Sequence, residues 1–138
     1  MGEEKFRFNT EIKVYFRDID AMGHVNNAAY LSYLEIGRME YFETLFGKNG
    51  FERFPFIIGE IHIKYHSPAL LKEILLIEVR TGKIGTKSFE LEYRISEKKS
   101  GRLVVEAMSK QVMFDYRNQK SIEVSEEFKR LTSRWENS

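Results

Sequence analysis

The feature that most constrains the fold of this chain is one long helical pattern followed by four segments with strand periodicity. Between Asn27 and Gly47 the apolar residues recur at helical spacing. About 20 residues at 1.5 Å each predict a helix close to 30 Å long. From Phe56 onward the apolar positions alternate, which is typical of strands with one buried face. Short connections favour antiparallel pairing, so we predict a two-layer α+β fold with one long helix on an antiparallel sheet.

The ends of the long helix are marked by residues with known terminal preferences. Asn26 or Asn27 is the predicted N-cap, and Gly47 and Gly50 are the predicted stop. Gly37 lies in the middle of the helix, where glycine costs about 1 kcal/mol relative to alanine. We therefore expect close approach to another backbone there. The predicted apolar stripe consists of Tyr30, Leu31, Leu34, Tyr41, Phe42 and Leu45.

The remaining elements follow from alternation and from turn residues. Residues 1–10 are predicted to be a polar arm, and the first strand is predicted over residues 11–17, with Phe16 on its apolar side. Ser125 is the predicted cap of a short C-terminal helix. The four later strands are predicted over residues 57–65, 74–84, 88–96 and 102–114.

Composition limits the classes to which this chain can belong. Its 138 residues predict a single domain over 1–138, and 42% hydrophobic residues fit a globular core. A net charge of +1 gives no sign of a nucleic-acid or membrane surface. The absence of cysteine excludes disulfides, a thiolate nucleophile and a cysteine metal site. No apolar run approaches the roughly 20 residues of a membrane helix, and no secretory signal is evident, so we expect a cytoplasmic protein.

The turn between the first predicted strand and the long helix concentrates polar and ionisable side chains. Asp18 and Asp20 follow the apolar segment, and Gly23 and His24 come just before the helix. The first N–H groups of a helix lack intrahelical acceptors and carry a partial positive charge, so they stabilise an oxyanion as it forms. Carboxylates beside such donors predict an active site at this turn. A serine hydrolase is disfavoured because there is no Gly-x-Ser-x-Gly elbow.

These residues also carry a resemblance to a known family. The string Asp20 to Asn27, read as D-x-x-G-H-V-N-N, opens the long helix, and Tyr65 with Pro68-Ala69 resembles the family's strand end. On these grounds the chain resembles the hotdog-fold thioesterases, specifically the 4-hydroxybenzoyl-CoA thioesterase-like acyl-CoA thioesterases. Further residues that carry the match are Tyr15-Phe16, Asp18, Tyr30, Tyr33, Glu35, Arg38 and residues 87–89.

The resemblance implies a hotdog fold, in which the antiparallel sheet wraps around the long helix and a short C-terminal helix follows. It implies hydrolysis of a fatty or aromatic acyl-CoA to free acid and CoA, with no metal and no organic cofactor. The predicted assembly is a homodimer or homotetramer with sites at the subunit interface. The alternatives are an acyl-acyl-carrier-protein thioesterase, a non-catalytic acyl-CoA-binding protein and, less favoured, a hotdog dehydratase.

The resemblance assigns the catalytic carboxylate to Asp20, as general base or as nucleophile; the other interpretation is a turn or capping aspartate. The predicted oxyanion donors are backbone N–H groups around Gly23 to Val25. His24 is predicted either to donate to the thioester carbonyl or orient Asp20, or to be a turn histidine. Asn27 is assigned to substrate binding, although a capping role is also consistent with its type.

Other candidates surround this centre. Tyr30 is predicted to contact the acyl group or to lie in the core. The basic turn containing Lys83, Lys87 and Ser88 is the candidate for the CoA phosphates, or else an ordinary hairpin. Asp18 is predicted to pair with Arg17 or Arg38, and Glu35 with Arg38 at i, i+3. His62 and His66 are predicted to face solvent, since about 13 Å between them is too far for one metal ion.

Overall fold

The computed structural model describes residues 5–138 and contains three helices and six strands within that range. The long helix α1 (Asn27–Phe46) is followed by a single turn, α2 (Gly50–Arg53), and α3 (Glu126–Glu136) closes the chain. The strands are β1 (Phe8–Lys13), β2 (Phe56–Tyr65), β3 (Ile74–Ile84), β4 (Ser88–Glu97), β5 (Leu103–Asp115) and β6 (Lys120–Ser121).

The sheet is antiparallel throughout, in the order β1-β3-β4-β5-β2, with β6 paired to the end of β5. It curls around α1, so the α+β hotdog fold predicted from the sequence is confirmed. The prediction that consecutive strands pair is wrong for one connection. The chain crosses over between β2 and β3, and β2 pairs with β5, so that β1 and β2 form the two edges.

The core lies between α1 and the inner face of the sheet. Tyr41, Phe42 and Leu34 of α1 are almost fully buried against alternate residues of β3 and β4. Phe42 stacks with Phe51 and Phe89, and Phe128 of α3 packs on the same group of rings. Aromatic pairs contribute beyond the area that they bury, which accounts for part of the high aromatic content.

The first strand was predicted too late in the chain. β1 begins at Phe8, within the predicted polar arm, and ends at Lys13; residues 1–4 of that arm lie outside the described residues. Phe16 lies in a single 3₁₀ turn (Phe16–Asp18), and 77% of it is exposed. The strand was predicted to continue through this turn because apolar and polar residues still alternate there. A 3₁₀ turn of three residues is too short to show a sequence period of its own.

Two further elements were not predicted. α2 begins at Gly50, a residue predicted to be part of the stop after the long helix, and four residues are too few to show a helical period. β6 contains only two residues. Leu31, predicted on the buried stripe of α1, is instead 45% exposed. Among residues 5–138, no helix is both long enough and apolar enough to cross a bilayer.

Candidate active site

The predicted turn is a closed loop between the 3₁₀ turn and α1. The N–H of Asp20 donates to the carbonyl of His24 (2.8 Å), and the N–H of Gly23 donates back to the carbonyl of Asp20 (3.0 Å). Gly23 has φ +82°, a left-handed conformation that glycine adopts without steric cost. The loop therefore requires a glycine at this position, and it holds Asp20 and His24 in fixed relation.

The two carboxylate oxygens of Asp20 differ in their surroundings. Oδ1 accepts from the N–H groups of Met22 (2.9 Å) and His24 (3.3 Å), which is the turn role considered from the sequence. Oδ2 has no hydrogen-bond partner among residues 5–138, and the residue is exposed. One oxygen thus orients the side chain, and the other is free to meet a ligand.

The start of α1 is fixed by Asn26, as predicted. Its Oδ1 accepts from the N–H of Ala29 (2.9 Å), and its Nδ2 donates to the carbonyl of Asp18 (3.1 Å). The N–H groups of Asn27 and Ala28 precede the first intrahelical bonds and have no acceptor within the described chain. These two groups are the unoccupied donors at the positive end of the helix.

This hydrogen bonding corrects the predicted set of oxyanion donors. The N–H of Val25 donates to the carbonyl of Ala69 (3.0 Å), and the N–H of Gly23 is used inside the loop. Both groups already have good acceptors, so neither is available to a substrate in this arrangement. The oxyanion donors were predicted around Gly23 because a glycine permits close approach of a ligand to the backbone. In the structure, the conformational freedom of Gly23 is used to close the loop instead.

A cavity of about 390 Å³ brings most of the predicted residues together. From the turn and the start of α1 it is lined by Asp20, His24, Val25, Asn27 and Tyr30. Its opposite wall is the end of β2 and the following residues, namely Tyr65, His66, Ser67 and Pro68.

That opposite wall was not predicted as part of the site. The family-like string containing Tyr65 and Pro68 was its only signal in the sequence. His66 was predicted to face solvent; its Nε2 lies 2.8 Å from a carboxylate oxygen of Glu106. Two isolated bridges, between Ile19 and Val25 and between His24 and Leu70, hold the turn beside this segment.

Tyr30 is both a core residue and a wall of the cavity. Only 3% of it is exposed, its ring contacts those of Tyr33 and Tyr65, and its hydroxyl accepts from the N–H of Ala69 (3.2 Å). A phenol keeps its proton at neutral pH, and burial raises the pKa of Tyr30 further above its usual 10.

Asp18 has a structural role, but its predicted partners were wrong. Its Oδ2 accepts from the hydroxyl of Tyr33 (2.9 Å) and from the N–H of Tyr15 (3.1 Å), and no ion pair joins it to Arg17 or Arg38 in residues 5–138. Burial, together with the Asp18 carboxylate, raises the pKa of Tyr33. This contact ties the 3₁₀ turn to the second turn of α1.

The basic turn predicted to bind the CoA phosphates lies far from Asp20 within one chain. Lys13, at the end of β1, pairs with Ile74 at the start of β3, whereas Lys83, Lys87 and Ser88 lie at the far end of that strand. Ten steps along a strand span about 33 Å. The structure therefore does not bring these three residues to the Asp20 cavity of the same subunit.

The remaining polar candidates are also placed. The predicted ion pair between Glu35 and Arg38 is absent, because Arg38 is buried and donates to the hydroxyl of Tyr93 (3.1 Å). His62 is exposed, as predicted, with its Nε2 3.1 Å from a Glu60 carboxylate oxygen. Within residues 5–138, no group of three or more His, Cys, Asp or Glu side chains is placed to hold a metal ion.

Comparison with known proteins gives a consistent family. Residues 14–131 match the model of the thioesterase-like superfamily. The long-chain acyl-CoA thioesterase FadM of Escherichia coli K12 is 31% identical over 125 residues, which cover 87% of this chain and 92% of that protein. The acyl-CoA thioesterase YbgC of Haemophilus influenzae is 29% identical over 92 residues, covering 64% of this chain and 68% of that protein.

Solved structures share the whole fold. A thioesterase from Thermus thermophilus, crystallised with coenzyme A and zinc, superposes with a TM-score of 0.87 at 26% identity, covering 99% of this chain and 98% of that one. The 1,4-dihydroxy-2-naphthoyl-CoA thioesterase of Synechocystis has the same fold, with a TM-score of 0.80 at 19% identity over 91% of this chain and 94% of that one. The chain therefore belongs to the thioesterase-like superfamily and is a hotdog-fold thioester hydrolase of the acyl-CoA thioesterase group.

Proposed function

We propose that this protein hydrolyses acyl-CoA thioesters to free acid and CoA, with Asp20 as the catalytic carboxylate and the start of α1 as the oxyanion site. One observation carries the proposal. The free Oδ2 of Asp20 lies on a fixed loop beside the unpaired N–H groups of Asn27 and Ala28, and Asp20 and Asn27 line one cavity. Acyl transfer requires these two components, a base or nucleophile and donors aimed at the developing oxyanion.

The chemistry proceeds through a tetrahedral intermediate in either of two ways. If Asp20 is the base, it takes a proton from water as the water oxygen attacks the thioester carbon. The C–S bond then breaks, and the CoA thiolate recovers the proton. If Asp20 is the nucleophile, its oxygen displaces the thiolate to form an anhydride, which water cleaves. In both routes the oxyanion faces the N–H groups of Asn27 and Ala28.

The acyl group of the substrate is proposed to be fatty or aromatic. The walls of the cavity include the rings of Tyr30 and Tyr65, which offer an apolar surface. The long-chain acyl-CoA substrate named for the Escherichia coli relative supports a fatty acyl group. His24 and Tyr30 supply further donors near the thioester.

The functional unit is proposed to be a homodimer or a dimer of dimers. β2 is an edge strand, and Ile57 and Ile58 on it are 38% and 37% exposed beside Met39 of α1. Leu31, nearer the start of α1, is 45% exposed. An exposed apolar edge of this kind calls for a partner. A second copy would also bring a turn with Lys83, Lys87 and Ser88 to the Asp20 cavity, where the lysines meet the phosphates of CoA.

A panel of substrates tests the activity directly. The protein is incubated with acyl-CoAs of increasing chain length, an aromatic acyl-CoA and a matched acyl-acyl-carrier-protein, and thiol release is followed. We expect turnover of acyl-CoA. Higher kcat/KM with the carrier protein would move the substrate class to acyl-acyl-carrier-protein. Tight acyl-CoA binding without turnover would replace the proposal with a non-catalytic binding protein, in which Asp20 serves only its turn.

A further inference from the structure

A second cavity, of about 440 Å³, lies further along the same helix and strand. Both cavities are formed between α1 and β2, which run in opposite directions: Asn27 and Tyr65 line the Asp20 cavity, whereas Arg38 and Ile57 line the second one. Asn27 and Arg38 are eleven residues apart, which is about 16 Å along a helix. We call the second space the distal cavity. Its apolar walls are Phe56 together with Met39, Ile57 and Ile58, which belong to the edge proposed above as the subunit contact, so the cavity lies at that contact.

Arg38 is the unusual residue of the distal cavity. Only 8% of it is exposed, and no carboxylate lies within ion-pair distance of its guanidinium in the described chain. A guanidinium has five N–H donors, and the only acceptor recorded for Arg38 within residues 5–138 is the Tyr93 hydroxyl. The other nitrogens of the guanidinium are not fully buried, because Trp135 Nε1 is the only buried side-chain polar atom without a hydrogen-bond partner in the described chain. They are therefore open to the cavity that Arg38 lines, where an acceptor on a ligand can reach them.

The buried side-chain hydrogen bonds that begin at Arg38 all run in one direction, from each donor to an acceptor further from the guanidinium. Ser109 donates to the side-chain carbonyl of Gln111, so the hydroxyl of Tyr93 must be the donor to Ser109 (2.5 Å). The amide of Gln111 in turn donates to the carbonyl of Phe89 (3.0 Å). Every proton in this buried chain points away from the guanidinium. The chain therefore holds Arg38 in place and leaves its other donors for the cavity side.

Glu35 gives the distal cavity an acceptor as well as a donor. It lines the same space one helical turn before Arg38, is exposed, and makes no ion pair with Arg38. A hydroxyl group matches this pair because its oxygen accepts from the guanidinium while its proton goes to the carboxylate. A carboxylate ligand would be repelled by Glu35, and a plain alkyl end would leave the Arg38 donors unsatisfied.

We propose that the distal cavity receives the far end of the acyl group and that Arg38 and Glu35 select acyl groups carrying a hydroxyl there. The inference rests on the proposed function, since it takes the thioester carbonyl to lie at Asn27. The acyl chain would then span about 16 Å along α1 to reach the distal cavity. Arg38 and Glu35 act on specificity and take no part in the chemical step.

The test compares two series of straight-chain acyl-CoAs, one unsubstituted and one with a hydroxyl on the last carbon. At the length whose hydroxyl reaches the distal cavity, we expect kcat/KM to be at least about tenfold higher for the hydroxylated substrate. Arg38→Met should bring that ratio to about one, and Glu35→Gln should lower it. Glu43→Gln, an exposed residue on α1 outside the cavity, is the matched control and should leave it unchanged.

Several results would overturn the inference and leave the proposed function intact. A ratio of one or less at every length in the wild-type protein is the first. The second is a Glu35→Gln protein with the same kcat/KM ratio as the wild type. This variant is the decisive one if Arg38→Met does not fold. An Arg38→Met protein that dissociates into monomers but keeps its ratio would also overturn the inference, because Arg38 would then serve the subunit contact alone. If no acyl-CoA is turned over, calorimetry of the hydroxylated and plain free acids still decides, since equal affinities overturn the selectivity.

Discussion

Gly37 is the point at which α1 lies closest to the sheet. A methyl group built on its Cα would lie 2.8 Å from Cγ2 of Ile77 and 3.2 Å from Cγ2 of Val79, and both of these side chains are fully buried. The close approach predicted from the sequence is therefore present, but it is made with strand side chains and not with another backbone. Neither neighbour is a flexible chain that could turn aside.

We predict that Gly37→Ala destabilises the protein although alanine is the better helix former. Overpacking a tight core costs about 1–3 kcal/mol. That penalty is expected to exceed the roughly 1 kcal/mol gained in helix propensity. Urea unfolding followed by circular dichroism measures the difference. Ser32→Ala, at an exposed position of α1, is the control and should stabilise the protein slightly, since it gains helix propensity without packing against the sheet. A Gly37→Ala protein as stable as the wild type would contradict the packing argument.

The sequence identified Asp20 as a candidate but could not distinguish the roles of its two carboxylate oxygens. Aspartate is common in turns, and a catalytic aspartate beside a helix has the same local sequence. Only the three-dimensional loop separates Oδ1, which accepts from Met22 and His24, from Oδ2, which is unpaired within residues 5–138. The same limit applies to the N–H groups of Gly23 and Val25, whose acceptors lie in the loop and in a distant segment.

Among the elements, the hairpin between β4 and β5 supports the wall of the Asp20 cavity. Arg102, just before β5, binds the carboxylate of Glu73 (2.7 and 3.1 Å) and the carbonyl of Pro68 (3.1 Å). The hairpin itself is closed by Glu97, which accepts from the hydroxyl and N–H of Ser100 and from the N–H of Lys99. These bonds, that of the Ser100 hydroxyl first, lower the pKa of Glu97 to about 2.

We predict that the contribution of Glu97 to stability is lost in acid. In the unfolded chain its carboxyl titrates near its usual 4.5, whereas in the folded protein it titrates near about 2. The stabilisation is thus complete above pH 4.5 and disappears as the pH falls through about 2, because the unfolded state binds the proton first. Urea unfolding of the wild type and Glu97→Gln should show a difference that shrinks over this window. A difference independent of pH would contradict the assignment.

Elements with a long, regular period were the ones that sequence could predict. α1 and the strands β3 and β4 were placed to within a residue or so, because each has many turns or alternations with one buried face. The pairing of β2 with β5 was missed because neighbours across a crossover are not neighbours in the chain. β1 was predicted too far along the chain because the apolar alternation of the strand continues beyond Lys13, through Val14, to Phe16 in the 3₁₀ turn.

For the whole molecule, the distance of the basic turn from Asp20 decides how CoA is held. Lys83 and Lys87 are about 30 Å of strand away from the Asp20 loop of their own chain. If they bind the phosphates of CoA, the site is completed by a second copy. The sequence predicts a role for both groups, but which subunit would supply each one depends on the assembly, which leaves no trace in one chain.

We predict that two inactive variants restore each other when mixed. Asp20→Asn lacks the carboxylate, and Lys83→Glu with Lys87→Glu lacks the phosphate contacts, so each alone should have low kcat/KM. In a mixed dimer one site combines the intact Asp20 loop with the intact lysines of the other chain. After unfolding and refolding together, an equal mixture should regain about a quarter of wild-type sites, from random pairing in a twofold dimer. No recovery would place both groups in one chain.

Single-turnover hydrolysis by wild type, Asp20→Asn and Asp20→Ala, with the best acyl-CoA of the panel, measures directly whether the free carboxylate of Asp20 is needed for the chemistry. Asparagine keeps the side-chain oxygen that accepts from Met22 and His24, so the loop and the stability should be preserved while the free carboxylate is lost. We predict that Asp20→Asn binds substrate as the wild type does but releases thiol at least about a hundredfold more slowly. Wild-type rates in Asp20→Asn, with loss only in Asp20→Ala, would show that the residue merely closes its turn and would contradict its proposed catalytic role.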